Sequence, residues 1–409
     1  MFAVAFAVRG AYAYLAVGRN ARPFSDAITY HEVARNLATL GRFAVGDGPV
    51  RPTAFIPPVM PFLTSLVYRV TGPSYFAGIL LQCALGALVP LAVVRLGAAL
   101  YDSRVGRAAG WLSVFHPILI SFSGYMLTEA SFTLTLTIAV LASVEWAIRP
   151  TGKRALAAGA GWGLATLTRP TVLIYPAIII LWGWACLHDR IPLRAYARQA
   201  ILIGGCAAVL IAPWTLRNAV VMDAFIPVTT GAGNALFDSN NPAKWNDSVR
   251  TGGACQITGL DPYASKARGL SEVATDKLWR AEAVAFLRAH IREWPEMAVA
   301  KVARFWRLSN EGQIWAERGS PLIRFVRSVD PLLCWSIIVL PLAVWGLIRS
   351  LRGPLGRIRW LLPITILFFT ALAAVFWGGL RPRVPIEPLV ALLATAGFFD
   401  IAMRVRRRA

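Results

Sequence analysis

Carboxylates are the scarce group in this chain. Only 21 Asp and Glu stand against 42 Lys and Arg in 409 residues, for a net charge of +21. Histidine is scarcer, with 4. So few acids leave few general bases and few hard metal ligands, and any carboxylate that is not balancing a neighbouring charge is informative. The five cysteines, Cys83, Cys186, Cys206, Cys255 and Cys334, contain no CxxC pair. Four lie in apolar stretches and only Cys255 in a polar one, which argues against a disulfide framework or a zinc site. No glycine-rich loop is followed by Lys-Ser/Thr, so phosphate-loop nucleotide chemistry is excluded. No internal repeat is visible, inverted or parallel, which argues against a secondary transporter with echoing halves.

What is abundant is apolar sequence, 56% of residues, with a mean hydropathy of +0.55. Runs of the length that crosses a bilayer recur along the chain. Lipid leaves no solvent for backbone polar groups, so a helical bundle is the expected form. Ten spanning helices are predicted, near 2–18, 74–98, 108–122, 127–147, 155–168, 171–187, 199–214, 331–348, 360–376 and 385–403. The fifth and sixth could instead join as an interrupted hairpin. The first apolar stretch reads as a helix that stays, and its lack of a basic flank leaves room for an upstream start.

The basic residues are nearly all Arg and sit in short loops and at the C-terminus, a membrane-topology pattern and not a nucleic-acid face. "YDSRVGR", "RPTGKR", "HDRIPLRAYAR", "RSLRGPLGRIR" and "RVRRRA" define one basic, cytoplasmic side. Both termini then fall in the cytoplasm, and two long loops, 19–73 and 215–330, face the other way. The organisation expected is an N-terminal membrane module (1–214) with a catalytic first outer loop, a periplasmic loop region (215–330) and C-terminal membrane helices (331–409). Each long loop carries amphipathic helices. In the first, Ala27, Tyr30, Ala34 and Leu37 share a stripe, followed by a Pro-started apolar helix. In the second, Val284, Leu287, Ile291 and Trp294 share a face that Pro295 breaks. The stretch "TTGAGNALFDSNNP" reads as a tight loop, with sugar or acceptor contact as the alternative.

Asp102, Glu145, Asp189 and Asp400 lie beside cytoplasmic arginines and read as topological neutralisers. Asp26, Glu129 and Glu387 instead sit at outer helix ends, where a polar group is costly unless it faces a cavity. Asp26 has two readings: Ser25 or Asp26 caps the following helix, or Asp26 is a general base whose partial removal from water suits it to activate a hydroxyl. Glu129 opens a helix, where a dipole contact is one reading and orientation of an acceptor or metal the other. Arg169, Arg217, Arg381 and Arg383 also stand at outer ends. Snorkelling explains any one of them, but a bound phosphate explains four together. Glu387 balances this charge, and Arg9 inside the first helix calls for an internal ion pair. Glu129 and His31 are the metal candidates.

Taken in order, "SDAITYHEVARNL", "RPTAFIPPVMPFL", "YMLTEASFTLTLTIAVLA", "GWGLATLTRPTVLIYP", "APWTLRNAVVMDAFIPVTTGAGNALFDSNNP" and "LRPRVPIEPLVALLA" resemble the integral-membrane glycosyltransferases of the GT-C class. The likeness is to the bacterial family similar to protein O-mannosyltransferases and to aminoarabinose or galacturonosyl transferases of lipid A. The resemblance implies an all-α polytopic fold in a bacterial inner membrane and an inverting transfer from a polyprenyl-phosphate sugar to a periplasmic-face acceptor: lipid, glycan or protein. It implies Asp26 as base, Glu129 and Tyr30 as acceptor-orienting groups, and Arg169, Arg217, Arg381 and Arg383 as phosphate ligands. Its partners are the lipid-linked sugar and membrane lipids, with no nucleic acid. No cofactor is required, a divalent metal being the alternative. The rival functions are a flippase for a lipid-linked sugar and a membrane oligosaccharide polymerase or ligase.

Overall fold

The computed structural model describes residues 1–245, 252–253, 259, 261–306, 331–352 and 355–408. Helix dominates. The strands among these residues are β1 (Ala44–Val45) and β2 (Arg51–Pro52), an antiparallel pair with Ala44 opposite Pro52.

The chain starts with α1 (Phe2–Tyr12), continued by a π-turn (Ala13–Val17) that stops at Gly18. The first loop holds α2 (Asp26–Leu40), the β1–β2 ribbon and α3 (Val59–Thr71). Then come α4 (Tyr75–Leu100), capped by the Ser74 hydroxyl, and α5 (Ser103–Val114). Asp102 does more than balance arginines: its carboxylate accepts the Arg104 and Val105 N–H groups at the start of α5. After α5 the chain bends by 50° into α6 (Pro117–Ser123). Pro117 has no N–H and pushes its predecessor out of helical geometry, so the single span expected at 108–122 is broken.

α7 (Glu129–Ile148), α8 (Gly152–Thr168), α9 (Tyr175–Leu187) and α10 (Leu193–Met222) follow. The hairpin between α8 and α9 is interrupted at Arg169, which is extended, and by a 3₁₀ turn at Pro170–Val172. The second long loop holds α11 (Ala232–Ser239), α12 (Pro242–Trp245), α13 (Tyr263–Ala267), α14 (Glu272–Ala289) and α15 (Trp294–Phe305). The C-terminal part is α16 (Pro331–Ser350), α17 (Gly356–Arg359), α18 (Leu361–Val375), α19 (Leu380–Arg383) and α20 (Glu387–Arg408).

This is a multi-pass membrane protein. Among the described residues six helices are long and apolar enough to cross a bilayer: Tyr75–Leu100, Glu129–Ile148, Pro170–Leu187, Leu193–Met222, Gly356–Val375 and Leu380–Arg407. The bent α5–α6 pair makes a seventh. Two other predicted spans fall short of that length, Phe2–Val17 and the 17-residue α8, while α16 is a helix of 20 residues.

The main core joins α4, α7, α8, α9, α18 and α20, with Phe132, Trp146, Trp162 and Tyr175 fully buried. Polar ties stitch it: the Trp146 indole donates to Gln199 at 2.6 Å and the Trp162 indole to Ser143 at 2.9 Å. A second core lies under the first loop, where the expected stripe of Ala27, Tyr30, Ala34 and Leu37 packs with Met60, Ile79 and Cys83.

Three expectations change. "TTGAGNALFDSNNP" is mostly helix α11 and not a tight loop, and its Asn240 and Asn241 are buried. In α14 the buried face is Asp276, Trp279 and Ala283, while Ile291 is exposed, because Trp279 stacks on Phe237 of α11. Pro295 does not break one helix but opens α15, where its missing N–H costs nothing. Cys255, the one cysteine expected in a polar stretch, lies outside the described residues.

Candidate active site

The ends of four separate elements converge on one charged network. Asp26 is the first residue of α2. Neither it nor Ser25 makes a side-chain cap, although Ser25 holds a φ of 50°, unusual for a residue with a Cβ. The Asp26 carboxylate is instead turned outward from its helix: Oδ2 accepts Arg381 Nη1 at 2.6 Å. Arg381, on α19, also donates Nε to Glu129 Oε1 at 2.5 Å. Glu129, at the start of α7, accepts Arg169 Nη2 on the same oxygen at 3.2 Å. Two carboxylates and two guanidiniums thus form a formally neutral chain ordered by depth. Glu129 is fully buried at its floor, while Arg381 and Asp26 keep 31% and 37% of their side chains exposed.

The network keeps unused capacity. A guanidinium carries five N–H donors; Arg381 spends two on these carboxylates and Arg169 one. Glu129 Oε2 is buried without a hydrogen-bond partner. Arg169 also lies 5.7 Å over the Phe132 ring, which steadies it against α7. Tyr30, one turn beyond Asp26, is buried beside these charges. Burial pushes its phenol well above the ordinary tyrosine range, and the Asp26 charge adds to this, so Tyr30 stays a neutral wall of the site.

The remaining candidates are elsewhere. Arg217 spends Nη1 on the Thr53 carbonyl at 2.6 Å and Nη2 on the Phe43 carbonyl at 2.9 Å, and lies over the Phe43 and Trp214 rings. It ties the first loop to α10. Arg383 points away from Arg381, since two residues on a helix do not share a face. It is fully buried, ion-paired with Glu387 one turn on and 5.3 Å over Trp306. His116, at the α5–α6 bend, bonds Glu387 through Nε2 at 3.0 Å. Glu387 therefore balances Arg383, not Arg381. Sequence reading missed this buried triad, though the i,i+4 spacing of Arg383 and Glu387 was visible. Among the described residues Arg9 has no ion-pair partner: its guanidinium donates to the Ala5, Ser113 and Val114 carbonyls.

His31 bonds the Tyr68 hydroxyl through Nδ1 at 2.8 Å, and burial, then the Arg35 charge, holds its pKa below the usual range. Among the described residues no three His, Cys, Asp or Glu side chains gather as metal ligands. The Arg381 guanidinium stands between the Asp26 and Glu129 carboxylates and bonds both.

Comparison with known proteins bears on the fold. The family described as dolichyl-phosphate-mannose-protein mannosyltransferase matches residues 56–216. The archaeal oligosaccharyltransferase AglB of Archaeoglobus fulgidus, in complex with an inhibitory peptide and a dolichol-phosphate, superposes with a TM-score of 0.56 at 13% identity, covering 100% of this chain and 51% of that one. The apo form of the Archaeoglobus enzyme gives 0.57 at 12% identity, with 99% and 51% coverage. ArnT of Cupriavidus metallidurans bound to undecaprenyl phosphate gives 0.47 at 12% identity, with 97% and 76% coverage. No curated protein matches the chain in sequence. The fold is that of the GT-C class of membrane glycosyltransferases, and the chain spans about half the length of the oligosaccharyltransferase it matches.

Proposed function

We propose that the chain is an inverting glycosyltransferase that moves a sugar from a polyprenyl-phosphate donor to an acceptor at the periplasmic face of a bacterial inner membrane. The observation that carries this reading is Asp26, half-exposed at the rim of a network whose floor is the buried Glu129–Arg169–Arg381 cluster. Asp26 Oδ2 is engaged by Arg381 and Oδ1 is left for substrate. The acceptor hydroxyl gives its proton to Oδ1 while its oxygen bonds to the anomeric carbon. The bond from that carbon to the phosphate oxygen breaks, and polyprenyl phosphate leaves with the electron pair. One displacement inverts the anomeric centre.

Charge then builds on the leaving phosphate. The spare N–H donors of Arg381 and Arg169 are already oriented for it, because both guanidiniums are held by Glu129, and preorganised donors in a water-poor site are worth most at that moment. Arg217 and Arg383 are left out of this step. An apolar groove of about 550 Å³ supports a lipid-borne donor. It is lined by residues of α9, α10 and their flanks, among them Leu173 and Ile174, which follow closely after Arg169 in sequence, and Ile211 and Phe225.

The test is release of free polyprenyl phosphate by purified protein from a panel of polyprenyl-phosphate sugars, with a membrane extract as acceptor source. Asp26→Asn should lower the rate about 10²- to 10⁴-fold, the usual contribution of a positioned base. Equal release by wild type and Asp26→Asn would remove Asp26 from the mechanism.

A further inference from the structure

A second site, which shares no residue with the charged network, lies where three chain segments meet: the stretch after β2 in the first loop, the start of α11 and the start of α14. It is a cavity of about 140 Å³. Glu272 builds it. This one carboxylate accepts the Thr53 hydroxyl at 2.6 Å, the Ala54 N–H at 2.9 Å and the Thr230 hydroxyl at 2.7 Å. The Thr230 N–H also donates to the Ala54 carbonyl at 3.0 Å. The cavity is thus bounded by backbone held in place by a carboxylate, not by freely moving side chains. On the same wall, Asp276 accepts the Gly233 N–H at 2.6 Å and Arg280 at 2.8 Å. Any side chain at Gly233 would strike the α14 backbone, so α11 and α14 are fixed against one another here.

The chemistry of the lining is specific. Asn234 and Thr275 line the cavity, and among the described residues their side chains have no hydrogen-bond partner. A carboxylate offers about four acceptor positions; Glu272 fills three and Asp276 two, so acceptors remain as well. The same lining includes Phe55 and Leu270, 40% and 44% exposed. The ligand this calls for is small, with hydroxyls around its edge that both donate and accept, and an apolar C–H face to lay on an aromatic ring. A nucleotide or lipid tail does not fit the volume, and an anion would meet two carboxylates.

We propose that this cavity is a carbohydrate subsite that holds one pyranose ring, with its hydroxyls on Asn234, Thr275 and the Glu272–Asp276 edge and its C–H face on Phe55. Because both long loops contribute, a ring bound here also holds the second loop against the first, which carries Asp26. If the chain transfers sugars as proposed above, the acceptor is then a glycan; that consequence, unlike the subsite, rests on the transfer reading.

Binding and transfer are measured separately. Saturation-transfer NMR on the full chain in detergent would be run with methyl pyranosides of glucose, galactose, mannose and N-acetylglucosamine, and with calcium as a competitor. At least one pyranoside should bind saturably. Asn234→Ala and Phe55→Leu, both at half-exposed positions, should weaken it about five- to tenfold, as expected for one lost hydrogen bond or one lost ring face. Each variant should keep the wild-type melting temperature. Asp26→Asn should bind the pyranoside like wild type while losing polyprenyl-phosphate release, which separates failure of the subsite from failure of the transfer reading. No saturable binding of any pyranoside, binding unchanged in both cavity variants, or displacement by calcium would each overturn the proposal.

Discussion

Arg381 is the residue on which the charged network turns, since it alone touches both Asp26 and Glu129. Removing one partner of a buried ion pair leaves the other charge unpaired, at a cost of about 3–5 kcal/mol. Arg381→Met should therefore destabilise the protein by less than about 3 kcal/mol, because Glu129 keeps Arg169 and Asp26 is partly solvated. The triple variant Arg381→Met/Glu129→Leu/Arg169→Met, which leaves no buried charge without its partner, should recover most of that stability, read as the thermal midpoint in detergent, and should not recover polyprenyl-phosphate release. Recovery of release would mean that Arg381 acts only as a structural counter-ion. Asp26, Glu129, Arg169 and Arg381, the four expected residues that meet in this network, stand out in sequence because an ionisable group at a helix end is conspicuous against lipid-facing sequence. Arg217 and Arg383 carry the same signature for other reasons, one holding loop carbonyls and the other a buried carboxylate. A one-dimensional reading does not separate these uses.

At the scale of helices, α16 and α20 pack closely through small residues. A Cβ at Gly346 would run into the Leu393 carbonyl oxygen, and one at Gly397 into that of Leu342. Close backbone approach is the usual source of helix association where lipid removes the hydrophobic drive. Gly346→Ala should lower stability by about 1–3 kcal/mol, measured as loss of folded protein in a thermal series, whereas alanine at Gly205, where a Cβ meets nothing, should have no packing cost. The helices themselves were largely legible from hydropathy. The α5–α6 bend was not taken from Pro117, and the buried face of α14 was misassigned because it is chosen by Phe237 of α11, remote in sequence.

Across the whole molecule, the second loop meets the C-terminal helices at Lys301. This lysine of α15 is fully buried. Its ammonium nitrogen contacts only neutral acceptors, Asn240 Oδ1 at 2.7 Å and the Val375 carbonyl at 3.1 Å. Burial pulls its pKa down to about 7 from the ordinary 10.5. Between those values the unfolded chain binds a proton that the folded one does not, so stability rises with pH across that window. Below pH 7 both states are protonated and the penalty of the buried charge is complete. The melting temperature in detergent should therefore climb from pH 7 to pH 9. Lys301→Met should melt higher than wild type at pH 7 and show a flatter climb. A wild-type midpoint independent of pH, matched by the variant, would show that Lys301 is not buried in this way.

A polytopic helical membrane protein, with a few rare polar residues at its helix ends, is legible from the residues alone. Lipid acts on each segment locally: every backbone group must be satisfied within its own helix, and every charge in an apolar run is conspicuous. Only the tertiary structure decided which of those residues meet. Asp26 and Arg381 are 355 positions apart, and what brings them together is the packing of α2, α7 and α19 at one end of the bundle. The same packing sent Arg383 to Glu387 and Arg217 to the first-loop carbonyls. Partner choice depends on which faces the helices turn to one another, and that is settled by the fit of the bundle as a whole.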